Sequence, residues 1–179
     1  FIIAAYGKIL KKEVLAIPRF GTLNVHPSLL PKYRGASPVQ SAILNGEKET
    51  GITIFVADEE VDHGPTVAKE SIAITEREDS ITLAEKLSRL AAELLAKTIP
   101  KILTKRAEPQ EQNHAEATFT KLLKKEGGRI DWQKDARTIE RQIRAYRIWP
   151  TSWTTWNNVR LTIVQATIGP VLKAEPGTF

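Results

Sequence analysis

Two apolar segments separated by an amphipathic one occupy the first 26 residues, and this arrangement constrains the fold more than any other feature. "FIIAAY" and "TLNVH" predict strands, and "KILKKEVLAI" between them predicts a short helix that stops before Pro18. Strands joined by a crossover of this length are parallel. The sequence therefore predicts a βαβ unit of an α/β domain. Because the chain opens directly on an apolar strand, we expect further strands upstream of residue 1.

A helix of about two turns is predicted over residues 38–45. Ser37 is a favourable N-cap, Pro38 is a favoured first-turn residue, and Gln40 can complete a capping box. Gly46 supplies the stop.

Two strands and a long helix are predicted next. "GITIFVAD" and "TVAKESIAI" predict strands that flank the acidic loop "DEEVDHGP" at residues 58–65. Thr82 and Glu85 predict a second capping box. The helix behind it ends or bends near Pro100, and its leucines follow the 4-3-4 spacing of an amphipathic helix: Leu83, Leu87, Leu90 and Leu94.

The periodicity divides the chain into a domain at residues 1–107, a linker at 108–130 and the start of a second domain at 131–179. In "DARTIERQIRAY" an apolar stripe is opposed by a basic stripe, which we expect to face outward: Lys134, Arg137, Arg141 and Arg144. The segment behind it alternates strand-like runs with turn residues and predicts a small β unit. Residues 120–147 hold 9 basic and 4 acidic side chains, so a polyanionic partner would meet this region first.

Composition excludes several kinds of chemistry. The chain has 0 Cys, which rules out disulfides, a thiolate nucleophile and cysteine-ligated zinc. Three histidines are the candidate catalytic imidazoles. No apolar run approaches the roughly 18 residues that a membrane span needs, so we expect a cytoplasmic protein.

Asn24 and His26 stand at the end of the second predicted strand. Alternation along a strand points both side chains to one face and Val25 to the other, and Pro27 holds His26 in an extended conformation. A carboxamide beside an imidazole suits a carbonyl that must become an oxyanion. The alternative is that His26 is a hydrogen-bonded structural residue.

Asp62 is a candidate third member, because its loop follows a strand that can neighbour the Asn-His strand and Gly64 permits a sharp turn. A carboxylate near His26 would orient the imidazole and raise its pKa. Spacing alone does not separate Asp62 from the other acids of a solvated loop. Two other sites stay open: a metal site of these acids with His63, and a hydrolase triad of Ser28, His26 and Asp62.

The segments "NVHPSLLPKYRGASPVQ" and "ETGITIFVADEEVDHG" resemble the folate-dependent formyltransferase family, whose signature is an Asn-x-His strand, an SLLP loop and a later Asp-x-Gly. "GGRIDWQKDARTIERQIRAYRIWPTSW" is similar to the linker helix and C-terminal domain entry of the members that act on tRNA. The resemblance implies an α/β fold with a Rossmann-like domain and a mostly parallel sheet, then a linker and the start of an OB-like β-barrel domain that binds tRNA.

The same resemblance implies an activity. A formyl group would pass from 10-formyltetrahydrofolate, as co-substrate, to the α-amino group of methionine on initiator tRNA, for translation initiation. Tetrahydrofolate would be released, and no metal or covalent enzyme intermediate would take part. The expected protein is a monomer that acts away from the membrane.

By motif position, the resemblance assigns site residues. The catalytic residues would be Asn24, His26 and Asp62. The folate site would be lined by Ser28, Leu29, Leu30 and Pro31, and by Tyr6, Gly7, Ile9 and Leu10. The tRNA phosphates could then contact basic residues, namely Lys124, Arg137, Arg141 and Arg144, with Lys121 and Lys125 beside them, but a solvated helix face explains these charges equally well. Arg34 could face the acceptor end of the tRNA or brace its own loop.

Other functions share these features. The same core is expected in enzymes that formylate an amino-sugar nucleotide or glycinamide ribonucleotide, and in formyltetrahydrofolate hydrolases. A non-catalytic RNA-binding module would use the basic helix alone. It would bind RNA in a salt-sensitive way that ignores folate.

Overall fold

The computed structural model describes residues 1–170, which form eight strands and four α-helices. The strands are β1 (Ile2–Ala4), β2 (Leu23–His26), β3 (Arg34–Gly35), β4 (Glu49–Val56), β5 (Thr66–Ala73), β6 (Phe119–Thr120), β7 (Ser152–Trp156) and β8 (Val159–Ile163). The helices are α1 (Lys12–Leu15), α2 (Pro38–Asn45), α3 (Ser80–Leu103) and α4 (Ala136–Ala145).

The main sheet has the strand order β1-β2-β4-β5. β1 and β2 are parallel and α1 connects them, which confirms the predicted βαβ unit. β2 and β4 are antiparallel, and β4 and β5 form an antiparallel hairpin. The parallel arrangement that we predicted thus holds for β1 and β2, whereas β4 runs antiparallel to β2 and β5 runs antiparallel to β4. The loop between β4 and β5 turns the chain back as a hairpin connection does.

Helix α3 covers one face of this sheet. Its four predicted core leucines are buried, and they form a cluster with Leu23, Val25 and Ile54 of the strands. The helix passes through Pro100 and ends at Leu103. The capping box differs from our prediction: it consists of Asp79 and Thr82, because the Asp79 carboxylate accepts the first free backbone N–H groups of the helix.

Helix α2 has the predicted bounds and ends at Gly46, which adopts a left-handed φ of 68°. The predicted capping box at its start is wrong. Ser37 makes no capping bond, and its hydroxyl donates instead to the carbonyl of Lys121 at 2.9 Å. The start of α2 is therefore tied to the segment 105–129.

The segment 105–129, defined here as the connecting segment, runs along the first domain. Its strand β6 pairs in parallel with β3, and Gln110 exchanges two backbone hydrogen bonds with Thr66 at 2.7 and 2.8 Å. It is therefore packed against the sheet domain and is not a free tether, although our domain bounds of 1–107, 108–130 and 131–179 stay predictions.

Helix α4 lies where the amphipathic pattern predicted a helix, and the chain continues into the hairpin β7-β8. Asn157 and Asn158 have φ values of 47° and 64°, the left-handed pair that a tight hairpin turn needs. Ile139 and Ile143 bury the apolar face of α4. The last part of the predicted β unit, residues 171–179, lies outside the described residues. Among residues 1–170, no helix combines the length and apolarity that crossing a bilayer requires.

Candidate active site

Asn24, His26 and Asp62 converge on one face of β2. Asn24 Nδ2 lies 3.4 Å from Asp62 Oδ1, and His26 Nδ1 lies 3.5 Å from Asp62 Oδ2. The His26 and Asp62 side chains are only 6% and 11% exposed. Val25 points into the core on the other face, as the strand alternation predicts. The structure thus brings together the three residues that the sequence suggested as a group.

The loop that carries Asp62 reaches His26 by folding back along the sheet. Because β2 and β4 are antiparallel, β4 ends opposite Leu23, at the far end of β2 from His26. Asp62 adopts a left-handed φ of 49°, which is unusual for a residue other than glycine and typical of functional sites. A Cβ at Gly64 would lie 1.9 Å from the Val56 carbonyl oxygen, so only glycine fits at that close approach.

The hydrogen bonds around His26 define its tautomer. His26 Nε2 lies 2.9 Å from the carbonyl oxygen of Tyr33, which can only accept, so Nε2 carries the proton. In the neutral imidazole, Nδ1 is then an acceptor that faces Asp62. Burial lowers the pKa of His26 below its ordinary value of 6.5, although the Asp62 carboxylate and the Tyr33 carbonyl oppose this shift.

The lowered pKa of His26 gives a pH dependence with a definite sign. Below about pH 6.5 the unfolded chain takes up a proton at His26 that the folded chain resists, so the free energy of unfolding falls as the pH falls. Above that pH the imidazole is neutral in both the folded and the unfolded chain, and His26 no longer makes the free energy of unfolding depend on pH. Urea unfolding of the wild type and of His26→Gln, from about pH 5 to 8, should show a steeper acid-side loss in the wild type. Parallel curves for the two proteins would contradict it.

The SLLP loop is anchored from beneath. Thr53 Oγ1 accepts from the Leu30 amide and donates to the Ser28 carbonyl, and Lys69 Nζ donates to the Leu30 carbonyl. Ser28 and Leu30 are buried, whereas Leu29 and Pro31 keep some exposed surface. The side chains of Ser28 and Leu30 therefore shape the loop, and its exposed surface comes from Leu29 and Pro31. That the SLLP loop lines the folate site stays a prediction.

The alternative hydrolase triad does not form. The hydroxyl of Ser28 donates to the Lys32 carbonyl at 2.6 Å, and His26 directs Nε2 to Tyr33. Ser28 is therefore not activated by the imidazole.

The alternative metal site also finds no support in the described residues. His63 Nδ1 pairs with Asp58 Oδ2 at 2.7 Å. Residues 1–170 contain no group of three or more His, Asp or Glu side chains placed to hold a metal ion.

The segment after β1 carries the other predicted folate residues. Tyr6 and Ile9 are 56% and 76% exposed, and Gly7 has a left-handed φ of 68°. Just beyond this segment, Lys12 Nζ pairs with Glu59 Oε1 of the acidic loop at 2.8 Å. An exposed apolar surface therefore adjoins the loop that carries Asp62.

Of the two roles that the sequence left open for Arg34, contact with nucleic acid and bracing of its loop, the structure favours the second. It is only 3% exposed, and its guanidinium donates to Gln112 Oε1 through Nη2 at 2.7 Å and through Nε at 3.3 Å. The Arg34 side chain therefore braces the interior behind the site. A buried arginine already bonded to protein does not present its charge to a phosphate.

Three groups near the site have no role in our sequence predictions. The Tyr33 carbonyl accepts from His26, the Gly35 amide donates to Asp62 Oδ2 at 2.7 Å, and Gln112 bonds to the backbone of the Asp62 loop. Two are backbone groups, which the residue type does not reveal, and Gln112 lies in a segment without periodicity.

The basic residues of α4 divide into two kinds. Arg144 forms a two-bond pair with Glu140 and donates to the Glu78 carbonyl at 2.7 Å, so it does not face outward as predicted. Arg137 is exposed, and the guanidinium of Arg141 lies against Gly46. Within residues 1–170, several cations of this region form no ion pair with a carboxylate: Lys121, Lys124, Lys125, Arg137 and Arg141.

A cleft of about 640 Å³ lies between α2 and α4. Its lining includes six basic and four acidic side chains, Arg137 and Arg141 among the former. It is separate from the Asn24–His26–Asp62 group, none of which lines it.

Two protein-family models match this chain: "Formyl transferase" over residues 1–99 and "Formyl transferase, C-terminal domain" over residues 122–179. The chain belongs to the formyl transferase family. Among curated proteins, it is 46% identical to the methionyl-tRNA formyltransferases of Roseiflexus castenholzii and Chloroflexus aurantiacus and 42% identical to that of Enterococcus faecalis. The alignments cover 99% of this chain but only 57–58% of those proteins, so the chain spans less than two thirds of their length.

Solved structures confirm the fold class. The chain superposes with a TM-score of 0.76 on an N-formyltransferase from Helicobacter canadensis in complex with folinic acid and dTDP-3-aminofucose, at 24% identity over 93% of this chain and 61% of that one. Aquifex aeolicus HypX in complex with tetrahydrofolic acid gives 0.73 and 23%, over 88% of this chain and 28% of that one. At these identities the likeness establishes the Rossmann-like fold alone.

Proposed function

We propose that this chain carries the catalytic centre of a methionyl-tRNA formyltransferase, which transfers the formyl group of 10-formyltetrahydrofolate to the α-amino group of methionyl initiator tRNA. The observation that carries the proposal is the convergence of Asn24, His26 and Asp62 in a buried site. The acceptor is supported by the 46% identity to methionyl-tRNA formyltransferases over nearly the whole chain. The proposed protein is a cytoplasmic monomer that serves translation initiation.

The chemistry begins with attack of the neutral amine on the formyl carbon. The carbonyl oxygen becomes an oxyanion, and Asn24 Nδ2–H is the donor on the open face of β2 that can stabilise it. A carboxamide is suited to this because it donates a hydrogen bond without titrating.

The amine must lose a proton before the intermediate collapses. His26 Nδ1 is unprotonated in the neutral tautomer and can accept it, and Asp62 Oδ2 at 3.5 Å stabilises the imidazolium that forms. The proton then passes to the folate nitrogen as the carbon–nitrogen bond to folate breaks. Every atom and charge is accounted for without a metal or a covalent enzyme intermediate.

The folate would bind between the segment after β1 and the acidic loop. Tyr6, Ile9 and Leu10 supply apolar surface there, and Gly7 lets the backbone turn. In the SLLP loop, the partly exposed side chains of Leu29 and Pro31 would contact the folate. The Lys12–Glu59 pair at 2.8 Å supports this placement because it joins the two walls.

The tRNA would be held through its phosphates by the cations of the connecting segment and α4. Arg137→Gln and Lys124→Gln should each weaken binding to all RNAs alike and lower the slope of log affinity against log salt by about one. Filter binding across a salt series measures this. Arg89→Gln, an exposed arginine of α3, is the matched control, and equal slopes in all four proteins would contradict the assignment.

The acceptor is tested by offering labelled 10-formyltetrahydrofolate with methionyl-tRNA, a dTDP-amino sugar and glycinamide ribonucleotide in parallel. The amino sugar belongs in the panel because solved neighbours are sugar N-formyltransferases. Formylation of methionyl-tRNA alone is expected, formyl transfer to the sugar would replace the tRNA assignment, and release of free formate would indicate a hydrolase.

A further inference from the structure

Gln112 is a buried residue of the connecting segment that touches the active-site loop. It is 7% exposed. Its Nε2 donates to the carbonyl oxygens of Asp62 at 3.0 Å and Gly64 at 2.8 Å, and its Oε1 accepts two hydrogen bonds from Arg34. Both donors and both acceptor positions of the amide are used, so its orientation is defined.

Gln112 donates to the Asp62 loop at the residue whose backbone conformation is unfavourable. Asp62 has a left-handed φ of 49°, an unfavourable conformation for a residue other than glycine that persists only when its surroundings enforce it. Gln112 secures the main chain of Asp62, and the Gly35 amide secures Oδ2 at 2.7 Å. The carboxylate is thereby aimed at Asn24 and His26.

The other end of the network is equally well anchored. Arg34 is 3% exposed, and β3, which contains it, pairs with β6 of the same connecting segment. The connecting segment therefore reaches the Asp62 loop directly through Gln112 and reaches Gly35 through the β3-β6 pairing. A linker that only joined two domains would make neither of these contacts.

We propose that Gln112 is a positioning residue for Asp62, so that the segment between the two domains forms part of the catalytic centre. This inference rests on the proposed function for its kinetic consequence and on the described contacts alone for its geometry. It predicts that Gln112 influences catalysis only through Asp62.

The kinetic test is a double-mutant cycle. Gln112→Glu keeps an acceptor for Arg34 but loses both donors to the loop, and it should lower single-turnover formyl transfer by roughly tenfold to a hundredfold. In an Asp62→Asn background the same change should have almost no further effect. Full activity of Gln112→Glu, or an equal loss in both backgrounds, would overturn the proposal. Gln110→Glu is the matched control, because its side chain is exposed in the same segment.

A second test needs no activity. NMR titration follows the pKa of His26 in the wild type, Asp62→Asn, Gln112→Met and Gln110→Met. If Gln112 holds Asp62 near the imidazole, Gln112→Met should lower the pKa of His26 as Asp62→Asn does, since both remove the carboxylate's effect. An unchanged pKa in a folded Gln112→Met protein would reject the positioning role. An inactive wild type with the predicted titrations would reject the proposed function alone.

Discussion

His26→Gln should lower formyl transfer to methionyl-tRNA by roughly 10²–10⁴-fold, the range expected when a general acid–base group is removed. Glutamine keeps an N–H that can donate to the Tyr33 carbonyl, which accepts from His26 at 2.9 Å in the wild type, but it offers no basic nitrogen to the amine. The measurement is single-turnover transfer with saturating folate, which isolates the chemical step from product release.

His63→Gln is the comparison for this result. His63 is the sequence neighbour of Asp62, but its imidazole pairs with Asp58 at 2.7 Å and stacks on His114 at 4.0 Å between ring centroids. We expect His63→Gln to transfer formyl at the wild-type rate. Equal losses in the two variants would mean that the histidines support the loop, and wild-type transfer by a folded His26→Gln protein would leave His26 as a structural residue.

The strand-borne half of the site was predictable because its residues sit in a regular pattern. Period-two alternation puts Asn24 and His26 on one face, and the structure has both within 3.5 Å of Asp62. The long helix was predictable for the same reason, since a 4-3-4 leucine pattern has only one face to bury. Gly46 as a helix stop follows from its free access to positive φ.

The loop-borne half was not predictable from local sequence. The acidic loop has four carboxylates, and their spacing does not single out Asp62, which only the resemblance to the Asp-x-Gly signature assigned. Asp62 reaches His26 because the loop folds back across an antiparallel strand pair, which spacing does not specify. Gln112 lies 50 residues beyond Asp62 in a segment with no periodicity. Arg34 resembles a surface cation in the sequence, and its burial depends on that distant glutamine. Contacts of this separation are properties of the tertiary structure.

Asn24→Ala should lower formyl transfer by roughly 10²–10³-fold, the loss expected for one oxyanion donor. Asn24 Nδ2 donates to Asp62 Oδ1 at 3.4 Å, and this contact holds the carboxamide at the reacting face. The Asn24 side chain remains partly exposed there. The loss should fall on the rate of the chemical step and only weakly on folate affinity, because the charge to be stabilised exists in the transition state and not in the bound substrate.

Asn24→Asp separates this explanation from a purely steric one. Aspartate has nearly the size of asparagine, but it replaces the donor with an acceptor and sets a second carboxylate about 3.4 Å from Asp62. Repulsion between the two raises the pKa of one of them, and the oxyanion would meet negative charge in place of an N–H. We therefore expect Asn24→Asp to be at least as impaired as Asn24→Ala near neutral pH. A folded Asn24→Asp protein with more activity than Asn24→Ala would mean that Asn24 fills space and that the oxyanion is stabilised elsewhere.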